Sequence, residues 1–389
     1  MDYKELAEIK RTISQVDEVM QRAIKESVFE DVKEVLIDAA SVINLKLYGS
    51  KDVDSDQVSD SDKDTLRKIT QLVSMWKLSI ERRSGLALEG DFWYLYERFK
   101  YVSSKTIIDE TINLFESYPV EYKEIFISLP NRYTFLTGRI DTKEKDYSLI
   151  KIYVDMLKEN IEQFRWLFER LADYRSKQIL IRIVRFWFAF NLNDLGDLHE
   201  NIFGDYYDLD LLEYKANDVL VDCGAYIGDS ILDYINTYGS DYKRIYGYEI
   251  SSDIMEKLKG NVDGIRDVVL KHKGVGSHVG KMLMKSDGAG SKIYDQGEEE
   301  IDVTTLDEDI DEPVTIIKMD IEGAETDAIE GAKNHILRER PRLLICTYHK
   351  PDDIFKIPQL IYSIRDDYKF FLRFNGRGIW PCDHVLFAV

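Results

Sequence analysis

The stretch Val219-Leu-Val-Asp-Cys-Gly-Ala-Tyr-Ile-Gly-Asp229 decides how this chain folds. An apolar strand pattern runs into Asp222-x-Gly224-x-x-x-Gly228, and a helical pattern opens at Asp229. Gly224 lets the backbone turn close to a ligand, and Gly228 lets the helix begin tightly. The helix N-terminus then offers free N–H groups to a carboxylate. A dinucleotide site would carry G-x-G-x-x-G here to cradle a pyrophosphate, and the second glycine of that triplet is missing. The looser spacing suits an adenosine-bearing ligand without phosphate, such as S-adenosyl-L-methionine.

The next strand pattern ends at Glu249, about 20 residues after the glycine turn, where an acidic side chain accepts from both ribose hydroxyls. Beyond residue 205, β-rich runs (219–223, 244–249, 268–271, 315–319, 343–347) alternate with helical ones (229–238, 252–261, 324–338, 354–366). Such alternation predicts an α/β fold with a doubly wound parallel sheet. Ligands then bind at the carboxyl ends of the strands. Phe370–Phe374 and Val385–Val389, joined by a Gly/Pro-containing loop, predict a β-hairpin at one edge.

Upstream the texture is helical. Leu6, Ile9, Ile13, Val16, Met20 and Ala23 follow steps of three and four, as do Ile150, Val154, Leu157, Ile161, Phe164, Phe168 and Leu171. Residues 66–80 share the helical spacing, and residues 49–64 form an acidic, Ser/Asp-rich loop. The expected division is therefore a helical region, 1–204, and a cofactor-binding domain, 205–389. The helical region serves either to shape an acceptor pocket or to self-associate as a homo-oligomer. The aromatic stretch Phe92–Phe99 reads as core in preference to a sugar-stacking face.

Composition narrows the partners. The 389 residues carry a net charge of −20, which argues against nucleic acid. The longest apolar run, Ile179–Leu192, contains Arg182 and Arg185 and is too short and charged to span a bilayer. Three widely spaced cysteines and a charged N-terminus predict a cytoplasmic location.

With these pieces on the page, residues 217–389 resemble the FkbM-type S-adenosylmethionine-dependent methyltransferases. The matching elements are residues 221–229, Tyr246-Gly-Tyr-Glu-Ile250, Val303-Thr-Thr-Leu-Asp307, Lys318-Met-Asp-Ile-Glu-Gly-Ala-Glu325 and Pro341–Ile345 leading to His349. Many relatives have Phe-Glu-Pro where this chain has Tyr248-Glu-Ile250. The resemblance implies a Rossmann-like class I methyltransferase sheet of seven strands, the last antiparallel. It also implies transfer to a hydroxyl oxygen, on a sugar in polysaccharide biosynthesis or on a secondary metabolite. Other classes stay open: methylation of nitrogen or of a protein-borne glycan, or a non-catalytic scaffold in a glycan-biosynthesis complex.

The expected cofactor contacts are Asp222, Gly224, Ala225, Tyr226, Ile227, Gly228, Asp229, Ser230, Glu249, Ile250, Ser277 and Asp320. Ordinary capping explains Asp229 and Ser230 equally well, and Gly274–Ser277 reads as a turn or an adenine contact. A hydroxyl acceptor needs help losing its proton, and the expected catalytic residues are His349 as general base with Asp320 and Glu322. Glu322 reads equally as a helix cap, Glu325 as a group that complements the helix dipole. A metal held by Asp320, Glu322 and His349 ranks below the metal-free base, so none is expected. Cys223 reads as a small buried residue, and His272, His278 and His335 as surface groups.

Overall fold

A computed structural model describes residues 87–196, 198, 206–285, 292–294, 299–376 and 378–389. The expectations for residues 2–48, 49–64 and 66–80 lie outside the described residues. Two compact units divide the chain, Met1–Ser103 and Ser104–Val389. In the first, helix Ala87–Tyr101 buries Phe92, Leu95, Tyr96 and Phe99, as a core reading of that aromatic stretch requires.

The second unit is built on a seven-stranded sheet. Its strands in chain order are β1 (Val219–Cys223), β2 (Arg244–Tyr248), β3 (Val268–Lys271), β8 (Ile316–Met319), β9 (Arg342–Cys346), β10 (Phe370–Phe374) and β11 (His384–Ala388). In space they run β10-β11-β9-β8-β1-β2-β3. The five-strand block from β9 to β3 is parallel, and β11 lies antiparallel between β9 and β10. This confirms the doubly wound sheet and the terminal hairpin. β1, β8 and β9 are buried along their whole length, which explains why they read as continuous apolar runs rather than as alternations. Helix Asp229–Tyr238 closes over one face with Ile231 and Tyr234 buried and Ile235 and Tyr238 packed alongside, a single helical stripe.

A second sheet has no counterpart in the sequence reading. β4 (Gly274–Val275), β5 (Gly280–Lys285), β6 (Lys292–Tyr294) and β7 (Glu299–Thr304) form it in the order β4-β7-β5-β6. It is inserted between β3 and β8, and β4 is too short to show any alternation.

The helices of 104–196 belong to the same unit. The apolar stripe through Ile150 and Leu171 divides into Ser148–Glu159 and Ile161–Arg170, because Asn160 departs from helical geometry (φ −117°, ψ 18°). Helix Tyr174–Ala189 then lies along the sheet's edge: Ala172 N donates to Phe370 O (2.9 Å) and Leu372 N to Ser176 Oγ (2.8 Å). Arg373 ties this edge to Asp208 and Asp173 (2.6 and 3.0 Å). An exposed β10 edge is thereby covered. The expected helix 324–338 divides at Gly331 into Glu325–Glu330 and Lys333–Glu339. His335 is buried rather than superficial, with Nδ1 at 2.7 Å from Glu339 Oε2 and Nε2 at 3.2 Å from Leu306 O. Cys223, Cys346 and Cys382 are free and buried. Among the described residues no helix is long and apolar enough to cross a membrane.

Candidate active site

The glycine turn after β1 is compressed between two strand tips. Gly224 (φ +77°) lies so close beneath the end of β8 that a Cβ there would overlap the carbonyl oxygen of Asp320. Its N–H and that of Ala225 donate to Tyr248 O (3.0 and 2.9 Å), fixing the turn to β2. Tyr226 also sits at positive φ (+45°), in a region an L-residue enters at a cost.

This turn forms one wall of a cavity of about 390 Å³, a volume within the range of small-molecule sites. Of the expected cofactor residues, Gly224, Tyr226, Asp229, Ser230, Glu249, Ile250 and Asp320 line it. Asp222, Ala225, Ile227 and Gly228 do not; they shape the turn from behind. Ser277 faces a neighbouring cavity instead. Asp222 is fully buried, accepts from Ser230 Oγ and lies 2.9 Å from Lys318 Nζ. Ser230 therefore holds Asp222 rather than capping the helix, and Asp229 accepts from the N–H of Ser230. Burial raises the Glu249 carboxyl, although nearby backbone N–H groups, that of Ser251 at 2.7 Å among them, favour its ionised form. Its place at the β2 tip is the one the ribose reading requires.

On the opposite wall, β8 and β9 bring an acidic cluster around one histidine. Asp320 accepts from two phenols, Tyr206 (2.7 Å) and Tyr348 (3.2 Å), and lies 3.4 Å from His349 Nε2. Burial opposes its charge, but His349 and Lys318 outweigh that and hold its carboxyl below the usual range. Burial likewise opposes the Lys318 ammonium, which Asp222 and Asp320 nonetheless hold above its ordinary value. Burial, reinforced by the Asp320 charge, pushes both phenols well up, so they stay protonated and donate to Asp320.

Glu325 does more than complement a helix dipole. It is fully buried, accepts from Ile321 N (2.9 Å), and places Oε1 2.9 Å from His349 Nδ1. That contact is an ion pair out of line for a hydrogen bond, since neither ring nitrogen has a hydrogen-bond partner. Glu322, 3.8 Å from Nε2, adopts φ +58° beside Gly323 at +100°, so two consecutive residues are left-handed at the β8 tip. The N-cap position of Glu325–Glu330 is held by Ala324 rather than by Glu322.

Burial lowers the His349 pKa, but Glu325 and then Asp320 and Glu322 outweigh it and lift it to about 9. At neutral pH the metal-free imidazole is thus an imidazolium with no lone pair for an acceptor's proton. This alters the general-base reading: the sequence could not reveal three carboxylates facing one ring. The raised value has a thermodynamic consequence. Because the folded pKa exceeds the ordinary 6.5, the stabilisation is complete below about 6.5 and lost as pH rises through about 9. In chelating buffer, the stability difference between wild type and His349→Gln should shrink by roughly 3 kcal/mol between pH 6 and pH 10, read by urea unfolding. A pH-independent difference would show that the ring is not charged.

A second cavity of about 510 Å³ lies beyond this cluster, and Val275, Ile321, Glu322 and Ala324 line both. Its own walls include Phe135, Met282, Val303 and His349, with Thr134, Thr137, Asp327 and Lys350 as polar groups. His278, exposed as expected, borders it as well. Thus the helical segment, the inserted sheet and the β9 tip converge on one space. Lys318 carries a sequence signal of its own: a cation inside a buried apolar strand demands a counter-charge. Tyr206 had none, because 114 residues separate it from Asp320.

Residues 222–372 match the Methyltransferase FkbM domain family. Among solved structures, the chain is similar to the methyltransferase FkbM from Methylobacillus flagellatus KT, with 26% identity and a TM-score of 0.54. That likeness covers 65% of this chain and 64% of that one, so this chain spans somewhat under two thirds of the relative's length. Weaker likenesses reach an rRNA methylase from Streptococcus thermophilus (17% identity, 45% of this chain and 87% of that one, TM-score 0.29). They also reach Aeropyrum pernix fibrillarin in complex with natively bound S-adenosyl-L-methionine (16%, 46% and 69%, TM-score 0.30), and neither carries weight here. No curated protein matches the chain. Family match and fold agree on one conclusion: residues 222–372 are an FkbM methyltransferase domain.

Proposed function

We propose that this protein transfers the methyl group of S-adenosyl-L-methionine to a hydroxyl oxygen of a small polar acceptor, a sugar or a hydroxylated metabolite. What supports the reading most is the pair of cavities that share Glu322 and meet beside Asp320 and His349. One fits an adenosine cofactor by its turn and its Glu249; the other has the mixed apolar and polar walls of an acceptor site.

The residues fit the cofactor on an observation of their own: Gly224, which packs against the Asp320 carbonyl only because it lacks a Cβ, and Glu249 both line the first cavity. When bound, the cofactor supplies a methyl group already activated on a sulfonium. Glu249 takes the ribose hydroxyls, and the turn at Gly224 admits the chain that carries the sulfur. Asp320, kept ionised, complements the positive sulfonium. The second cavity would hold the acceptor with its hydroxyl oxygen turned toward the first, in line for the methyl group that the cofactor would supply as it became a neutral thioether. Glu322, the carboxylate facing both cavities, receives the acceptor's proton. The three free thiols suit a cytoplasmic setting for this reaction.

The reading predicts micromolar binding of S-adenosylhomocysteine by calorimetry, weakened at least tenfold (about 1.4 kcal/mol) by Glu249→Ala. Methyl-labelled cofactor with a panel of nucleotide sugars and free glycosides should then yield an O-methyl product located by mass spectrometry. No binding by the folded wild type would refute the cofactor assignment, and label on nitrogen would refute the acceptor class.

A further inference from the structure

We propose that Asp320, Glu325 and His349 form a binding site for one divalent cation at the junction of the two cavities. Each of the three offers a ligand atom, and these atoms lie within 4.8 Å of one another. Acidic clusters alone are common on proteins, and the histidine distinguishes this one. His349 is 3% exposed, yet neither of its ring nitrogens has a hydrogen-bond partner. Glu325 Oε2 is buried without one too, although Oε1 braces the β8 turn through Ile321 N. Buried polar atoms are almost always hydrogen-bonded, so three that are not, on two side chains joined only by an ion pair, need an explanation. A cation among them supplies it.

Charge points the same way. Even a protonated His349 sets one positive charge against Asp320, Glu325 and Glu322, the last 3.8 Å from Nε2. Lys318 does not relieve this group alone, because Asp222 shares its ammonium. Crowding like charges around a buried ring is costly, and a divalent ion would offset two of them. Two carboxylates with one imidazole suit Mn²⁺ and its neighbours better than an all-oxygen ion. The location also gives the ion a use. Asp320 lines the first cavity and His349 the second, so a cation between them lies where an acceptor hydroxyl meets the methyl donor. There it would lower the hydroxyl's pKa before Glu322 takes the proton. This use rests on the methyl-transfer reading; the site's geometry does not.

The test is Mn²⁺ titration of the full chain, stripped with chelator, with free Mn²⁺ read by electron paramagnetic resonance. Calorimetry with S-adenosylhomocysteine on the same protein separates the two readings. One tight equivalent of Mn²⁺ is expected, weakened at least tenfold in both Asp320→Asn and His349→Gln. Glu249→Ala should lose the homocysteine ligand and keep the metal. A wild type that binds S-adenosylhomocysteine but leaves the Mn²⁺ signal undiminished overturns the proposal and spares the cofactor. Binding that survives in the Asp320→Asn/His349→Gln double variant also overturns it, by assigning the metal to the acidic surface. A wild type that binds neither ligand overturns both readings.

Discussion

Gly224→Ala should abolish cofactor binding and cost roughly 2–5 kcal/mol of stability, the sum of a left-handed backbone penalty and overpacking. The backbone penalty follows from φ +77°, which alanine reaches only at a cost of about 1–2 kcal/mol. The overpacking is particular to this place. The new Cβ would meet the carbonyl oxygen of Asp320, which is backbone and cannot rotate away. Cys223 O already accepts from Asp320 N at 3.1 Å, so β1 and β8 must separate or the Asp320 peptide must turn. Either movement carries the Asp320 carboxylate out of the cavity wall it shares with Glu322. Gly264→Ala is the control, since its φ is +76° and nothing lies within 4 Å of a Cβ there. Urea unfolding should rank wild type above Gly264→Ala and that variant above Gly224→Ala, and only the last should lose S-adenosylhomocysteine in calorimetry. Equal stability of the two variants would show that the turn has slack that the close packing of β1 against β8 denies.

The close packing of β1 against β8 is a contact between distant parts of the chain, and such contacts leave little trace in local sequence. The strand positions and the glycine turn were legible because both are local: the apolar runs of β1, β8 and β9 and the Asp222–Gly228 spacing each occupy a few consecutive residues. Glu249 was legible for the same reason. The histidine cluster was not, because its chemistry depends on distances across the sheet. Glu325 looks like any acid in a first helical turn until β9 places His349 2.9 Å away. Nor was the inserted sheet visible, since β4 pairs with β7 across residues 274–304. Phe135 carries no motif in the sequence, yet its ring stands perpendicular to His349 at 6.0 Å. Sequence patterns name the strand tips; the fold decides which tips share a space.

Lys318→Met should cost about 3–5 kcal/mol, the usual consequence of removing one partner from a buried ion pair. Lys318 and Asp222 are 2% and 0% exposed, with Nζ 2.9 Å from Asp222 Oδ1 and 2.8 Å from Gly224 O. Methionine matches the aliphatic stem, so packing is largely kept and the stranded Asp222 carboxylate dominates. Its remaining partner is the Ser230 hydroxyl, which cannot neutralise it. Burial already raises the Asp222 carboxyl in the wild type, and without the ammonium it would rise further. A folded pKa above the unfolded one means that the penalty grows as pH rises and fades on acidification. The Lys318→Met deficit should therefore shrink as pH falls, provided the comparison with wild type is made at each pH. The Asp222→Asn/Lys318→Met double variant removes the stranded charge and keeps the contact with Ser230. Its cost should fall to about 1–2 kcal/mol, a coupling of the size expected for residues in direct contact. If single and double variants are equally unstable, the deficit lies instead in the lost bond to the Gly224 carbonyl. The ammonium would then act as a brace for the glycine turn, and Asp222 would be a bystander to it.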